Sequence, residues 1–208
     1  MKITKLVHSC LFVEEAGKSI LIDPGIYSTK NVVTLDTFSS LDFLLITHEH
    51  ADHMDQEFIK KLVEKFPQLE IISNHSVKTI LGKNNIAVST QGNDFIEVTE
   101  VPHENTPWFT SPPKNVLFTL FGKLTHPGDS LHLTNSSEIL ALPIQASWGS
   151  MAWAFETAVK LKPKIIIPIH DWQWRDEARE QNYKVGTEFF SKCGIDFKPV
   201  EQGLAWQD

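Results

Sequence analysis

The chain has 208 residues, enough to bury a sizeable core, and no linker-like or low-complexity tract divides it, so one domain over residues 1–208 is expected. Acidic residues outnumber basic ones, 26 to 19, and the formal charge of −7 disfavours a nucleic-acid backbone as partner. No apolar stretch reaches membrane-spanning length, Lys2 and Lys5 lead into an alternating strand rather than a signal-peptide core, and Cys10 and Cys193 form no disulfide framework. A reducing cytoplasm, away from membranes, is the expected setting.

In chain order, Ile3 to Val7 and Leu11 to Glu14 read as strands, and Glu15 to Lys18 turns the chain into a third, Ser19 to Asp23. Asp42 to Ile46 is a short apolar run of the buried-strand kind, followed by Thr47 to His53 (THEHADH). From Gln56 to Phe66, Phe58, Leu62 and Phe66 recur at helical spacing, with Ile59 and Val63 widening the stripe; the helix stops before Pro67. Leu69 to Ile72 is strand-like, and Ser76 to Leu81 is a short helix with Ser73 or Asn74 as its cap. Phe95 to Val101 and Val116 to Phe121 follow as strands. Ile139 to Pro143 and Ile165 to Ile169 are strands flanking a helix at Met151 to Leu161, and Arg175 to Lys192 is the last helix, closed near Gly194. Strands first, then strand–helix alternation, in each half: this suits an α/β fold of two sheets with helices outside.

The THEHADH segment carries the densest chemistry. The imidazoles of His48, His50 and His53 and the carboxylate of Asp52 share one strand-to-helix turn, a donor set suited to zinc or a similar borderline ion. Alternation sends His48 and His50 to one side of an extended segment and leaves Asp52 and His53 in the following turn, where they can face a second ion. Asp23, His103, Asp129 and His170 each sit at or just past the end of a strand-like run, where loops at one sheet edge can gather distant residues. His75, His126 and His132 compete with His103 as a further ligand. The bland reading of the turn is a solvated, His-rich loop, and His170, after four apolar residues, reads by itself as a core histidine.

HEHADH matches the His-x-His-x-Asp-His motif of the metallo-β-lactamase superfamily, and the resemblance spans nearly the whole chain. Met1 to Gly25, with His8-Ser9-Cys10 on the first strand and Ile22-Asp23-Pro24 after the hairpin, resembles a small branch of metal-dependent hydrolases related to ascorbate-phosphate lactonases. Val101-Pro102-His103, Pro127-Gly128-Asp129-Ser130 and Ile167-Pro168-Ile169-His170 stand in the order of that family's later motifs, with Ser130 where Thr is usual. The resemblance implies an αββα sandwich of two mixed β-sheets with outer helices. It implies two divalent metal ions, one held by His48, His50 and His103, the other by Asp52, His53 and His170, with Asp129 bridging. Zinc is the default from donor type, and Mn2+, Fe2+ or Ni2+ suit the same set.

The expected activity is cleavage of an ester, lactone or phosphodiester of a small molecule by a hydroxide bridging the ions, oriented by Asp52 as the catalytic residue. Asp23 falls where the family has an acid that supports a ligand histidine. A di-iron oxidoreductase would carry a carboxylate at His50, a nuclease a basic arm, and a glyoxalase-type thioesterase a glycine soon after the motif. A metal-binding sensor or scaffold without catalysis is the alternative. His8 divides evenly between the cleft and strand packing, and Cys10 reads as core, since no basic neighbour makes a thiolate. Trp148 and Trp172 are candidates for pocket walls; Trp108, Trp153 and Trp174 read as packing. Glu49 and Asp55 read as solvated.

Overall fold

The amino-terminal strands form because their apolar residues alternate and one short turn joins them. Lys2–Lys5 (β1), Leu11–Glu15 (β2) and Lys18–Ile22 (β3) pair antiparallel, and the Ala16-Gly17 turn between β2 and β3 has positive φ at both residues, 49° and 74°. Phe43–Leu45 (β4) and Glu70–Ile72 (β5) add in parallel, and the carboxy-terminal Ala205–Gln207 (β12) pairs antiparallel with β1, giving the order β12-β1-β2-β3-β4-β5. The computed structural model, which describes residues 1–106 and 110–207, divides into two compact units, and this sheet belongs to the first, Met1–Asn93 with Val200–Asp208.

The helices of the first unit are Ile26–Thr29 (α1), Gln56–Lys65 (α2) and His75–Gly82 (α3), with a 3-10 turn at Leu35–Thr37. Asp55 caps α2 by accepting from the backbone N–H groups of Glu57 and Phe58 at 3.1 and 3.2 Å, and Asn74 caps α3 through Ser76 and Val77. Phe58, Ile59 and Leu62 of α2 and Val77 and Leu81 of α3 join Leu44 and Ile46 in one buried cluster. The expected α2 stripe is thus the face that makes the core.

The second unit, Asp94–Pro199, starts with a meander of Ile96–Pro102 (β6), Lys114–Leu120 (β7) and Leu124–His126 (β8). Ile139–Pro143 (β9), the helix Met151–Leu161 (α4) and Ile165–Ile169 (β10) form a parallel crossover. The helix Asp176–Lys192 (α5) leads to Asp196–Phe197 (β11), and the sheet order is β11-β10-β9-β8-β7-β6. All five residues of β9 are buried, as its unbroken apolar run demands of a parallel strand. Leu140, Ala154, Phe155, Ile166, Phe190 and Phe197 pack in its core. Gly186 of α5 faces Phe197 so closely that a Cβ there would lie 2.8 Å from the ring.

Two mixed sheets with helices are therefore present, as expected. The short elements α1, β8, β11 and β12 leave no signal in the sequence, because two to four residues carry no readable periodicity. One placement is corrected. His8-Ser9-Cys10 is not on the first strand: β1 ends at Lys5, and Leu6 to Cys10 make a tight turn closed by the bonds Leu6 N–H to Cys10 O and Cys10 N–H to Val7 O, with His8 at φ 61°. Pairing of Lys5 with Leu11 leaves those five residues to reverse the chain. Among the described residues no helix is long and apolar enough to cross a membrane.

Candidate metal centre

In the first unit the site is organised from Asp23, which follows β3 with φ 47° and is fully buried. Its Oδ1 accepts from the Thr47 backbone N–H at 2.7 Å, and its Oδ2 accepts from the Thr47 hydroxyl and from His53 Nδ1, each at 2.7 Å. A carboxylate only accepts, so His53 carries its proton on Nδ1. Because the single hydroxyl hydrogen of Thr47 goes to Asp23, the Thr47 oxygen accepts from His48 Nδ1, 3.0 Å away. One carboxylate thereby sets the tautomer of two histidines and leaves the Nε2 lone pair of each as the donor atom. The His48 ring lies 4.1 Å from that of His53 and 4.7 Å from that of His50, centre to centre.

The turn bearing these residues is held by neighbours distant in sequence. His53 N–H and Met54 N–H donate to His50 O, Ile26 N–H to Ala51 O, and Asp55 N–H to Pro24 O. Asn74 Nδ2 donates to Thr47 O and Ser73 Oγ to Ile46 O. Gly25 is obligatory: a Cβ there would stand 1.8 Å from the Asp52 carbonyl oxygen. His8 Nε2 lies 3.2 Å from Asp52 Oδ2, which is itself 4.0 Å from His53 Nε2. His8, Asp52 and His53 bring ligand atoms within 4.8 Å of one another, and so, separately, do His48 and His50. That division matches the two groups that alternation implied for this motif. Asp52 keeps 24 % of its side chain exposed, whereas the His53 side chain is fully buried.

The second unit holds a complementary set. His103 Nδ1 donates to the Glu104 carbonyl and His170 Nδ1 to the Gln145 carbonyl. A carbonyl cannot donate, so each ring presents Nε2 as its lone-pair nitrogen when neutral. Both Nε2 atoms approach the same atom, Asp129 Oδ2, at 3.5 and 3.2 Å, in surroundings where all three side chains are buried. Two imidazole lone pairs and an anionic oxygen at that separation repel unless positive charge lies among them. A borderline divalent ion fits this donor chemistry in both units. The indole Nε1–H of Trp148 donates to the same Oδ2 at 3.2 Å, Asp129 N–H bonds Asn115 Oδ1, and Glu104 N–H bonds Asp129 O at 2.8 Å. His170, at φ 62°, precedes Asp171, which accepts from the Tyr183 hydroxyl of α5. Burial, then the Asp171 charge, pushes the Tyr183 pKa far up, so the phenol remains the donor.

Among the histidines that compete for the place of His103, His132 is 54 % exposed and pairs with Glu104, His126 lies on β8 with Nδ1 accepting from Gly128 N–H, and His75 is exposed on α3. His103 is the one set beside Asp129. His8 is buried and engages Asp52, but from the turn after β1 and not as a packed strand residue. Glu49 and Asp55 are corrected: Glu49 accepts from Ser76 Oγ at 2.9 Å, and Asp55, besides its capping bonds, accepts from Thr29 Oγ1 at 2.6 Å. Cys10 is fully buried, and burial first of all raises its thiol pKa well above the ordinary range, as expected of a core cysteine. Trp148 meets Asp129 and lies 5.3 Å from the His170 ring, Trp153 touches His132, Trp174 packs against the second core, and Trp108 lies outside the described residues. The supporting roles of Asn115 and Gln145 had no sequence signal, since each acts on a residue brought near only by folding; Thr47 stands in the motif beside His48, but its bond to Asp23 spans 24 positions.

Comparison with known proteins bears on this arrangement. A protein of Mycobacterium tuberculosis, Rv0786c, is 28 % identical over 204 residues, covering 90 % of this chain and 92 % of its own. The UPF0173 metal-dependent hydrolase of Caldivirga maquilingensis is 28 % identical over 181 residues, 79 % of each chain. The solved structure of a metallo hydrolase from Ignicoccus hospitalis superposes with a TM-score of 0.73 at 18 % identity, covering 100 % of this chain and 98 % of that one, a likeness of fold. The profile of the Beta-lactamase superfamily domain matches residues 2–170, a span that takes in every candidate ligand from His48 to His170, and the chain belongs to that superfamily.

Proposed function

We propose that this chain is a metal-dependent hydrolase of a small molecule. In this reading His48, His50, Asp52 and His53 of the first unit and His103, Asp129 and His170 of the second are the ligands of two divalent cations, zinc by donor type. The observation that carries it is the fixing of Nδ1 on His48, His53, His103 and His170 by protein acceptors, which directs Nε2 of each as a ligand atom. Superfamily membership and the naming of relatives as metal-dependent hydrolases support the same conclusion.

Bound divalent ions lower the pKa of water towards about 7 and offset negative charge developing on a carbonyl or phosphoryl oxygen. The protein's own part is orientation. Asp23 and Thr47 hold His48 and His53 in one tautomer, and the Gln145 carbonyl does so for His170. Asp52, partly open to solvent and with His8 at its Oδ2, is the group that holds the proton of the attacking water and aims it at the scissile centre. The favoured substrates are uncharged or weakly charged lactones, esters and phosphodiesters, because a chain of net charge −7 offers little to steer polyanions.

The test is metal content per chain by plasma mass spectrometry beside a turnover screen of lactones and phosphodiesters, in the wild type and the Asp52→Ala and His48→Ala variants. About two ions per chain, fewer in both variants, with turnover lost in Asp52→Ala, is expected. Retained turnover in Asp52→Ala overturns the mechanism. Metal without turnover across the screen leaves a non-catalytic binding module, and no metal after dialysis against zinc removes the site itself.

A further inference from the structure

We infer that Trp148 is a positioning residue for the metal centre, holding Asp129 through its indole N–H while its ring flanks the two histidines of the second unit. The inference rests on the ligand assignment proposed above, and three observations within that unit carry it.

Trp148 Nε1 lies 3.2 Å from Asp129 Oδ2, the same oxygen that His103 Nε2 and His170 Nε2 approach at 3.5 and 3.2 Å. An indole N–H is a donor only, so this contact favours the ionised carboxylate and sets which oxygen is turned to the imidazoles. The Trp148 ring stands 6.3 Å from His103 edge-on and 5.3 Å from His170, centre to centre. It therefore excludes water from one side of the trio and strengthens the electrostatics inside it. The segment bearing Trp148 is also fixed at both ends by bonds that matter here. Gln145 supplies the carbonyl that accepts from His170 Nδ1, Gly149 N–H donates to Ala146 O, and Ser150 Oγ caps α4 through Trp153 N–H at 3.3 Å. The β9–α4 connection thus contacts His170 at one point and Asp129 at another, and Trp148 is its indole anchor.

Two consequences separate this role from packing. Loss of the N–H with the ring kept should weaken metal binding without a matching loss of apo-protein stability. The indole should also report metal arrival, since its hydrogen-bond acceptor changes charge environment when a cation reaches Asp129.

The experiment uses the full chain stripped of metal, with Zn2+ as the probe, in the wild type and the Trp148→Phe, Trp148→Ala and Trp153→Phe variants. Affinity is read by chelator competition, the indole by its fluorescence change on Zn2+ addition, and fold integrity by the thermal midpoint of the apo form. The expected result is Zn2+ affinity lowered about tenfold in Trp148→Phe, further in Trp148→Ala, with the fluorescence change largely lost in both. Trp153→Phe, which replaces an exposed ring against His132, should keep both properties. Wild-type affinity and fluorescence response in Trp148→Phe overturn the inference, as does an affinity loss that merely tracks a lower apo midpoint. A wild type that takes up no Zn2+ sinks the underlying ligand assignment instead, a result distinct from either.

Discussion

The buried carboxylate of Asp23 organises the histidines that the first unit brings to the candidate centre. It accepts from Thr47 twice and from His53, and through Thr47 it fixes His48. Asp23→Asn keeps the size but presents an amide N–H to partners that are themselves donors, on at least one side. Metal affinity should fall about 10–100-fold, measured by competition with a chromogenic chelator; an unchanged affinity would show the tautomers to be set elsewhere. The cysteines give a second test at this scale. Cys193 is exposed and Cys10 buried, with its thiol pushed up by burial, so a thiol reagent should modify Cys193 alone in the folded protein and Cys10 only after denaturation. Mass spectrometry of the labelled chain reads the site directly.

At the scale of elements, the strand–turn–helix from β4 to α2 is where local and long-range forces meet. Asp55 stops the motif turn and starts α2 with one carboxylate, which also bonds Thr29. Asp55→Ala should cost about 1 kcal/mol for the cap alone, seen as a lower urea midpoint with unchanged slope. Gly25→Ala sets a methyl against the Asp52 carbonyl, where a Cβ would be 1.8 Å away, and the backbone on one side must move. Overpacking of this kind costs about 1–3 kcal/mol, and because the carbonyl belongs to a proposed ligand, metal retention should fall together with stability. Gly186→Ala on α5, meeting the Phe197 ring at 2.8 Å, should lower stability while leaving metal content unchanged, a contrast that separates core from centre.

At the scale of the whole molecule, metal binding and stability are linked. A ligand that binds the native state alone stabilises it by about 2.7 kcal/mol at a hundred times its Kd. For a chain of this size each kcal/mol moves the midpoint by roughly 2–4 °C. Calorimetry of apo and Zn2+-loaded protein should therefore differ by several degrees, and His48→Ala should shrink the difference; identical scans would argue against metal as part of the fold.

Much of the fold was legible because burial leaves a period in the sequence. The stripe Phe58–Leu62, the apolar runs of β9 and β10, and α4 from Met151 to Leu161 fall where their patterns place them. β8, β11 and β12 did not, since two or three residues make no period and pair only when a neighbouring strand presents its edge. The candidate centre divides the same way. THEHADH announces its chemistry because its donors are neighbours in the chain, and their split into His48 with His50 and Asp52 with His53 follows from local backbone geometry. Which histidine accompanies Asp129, which carbonyl holds His170 and which indole meets the carboxylate depend on residues 19 to 26 positions apart, brought together by sheet pairing and core packing. The amino-acid sequence by itself determined the longer elements and the kind of donors, through periodicity and local spacing. Only the tertiary structure decided their partners, because hydrogen-bond geometry between distant residues has no signature along the chain.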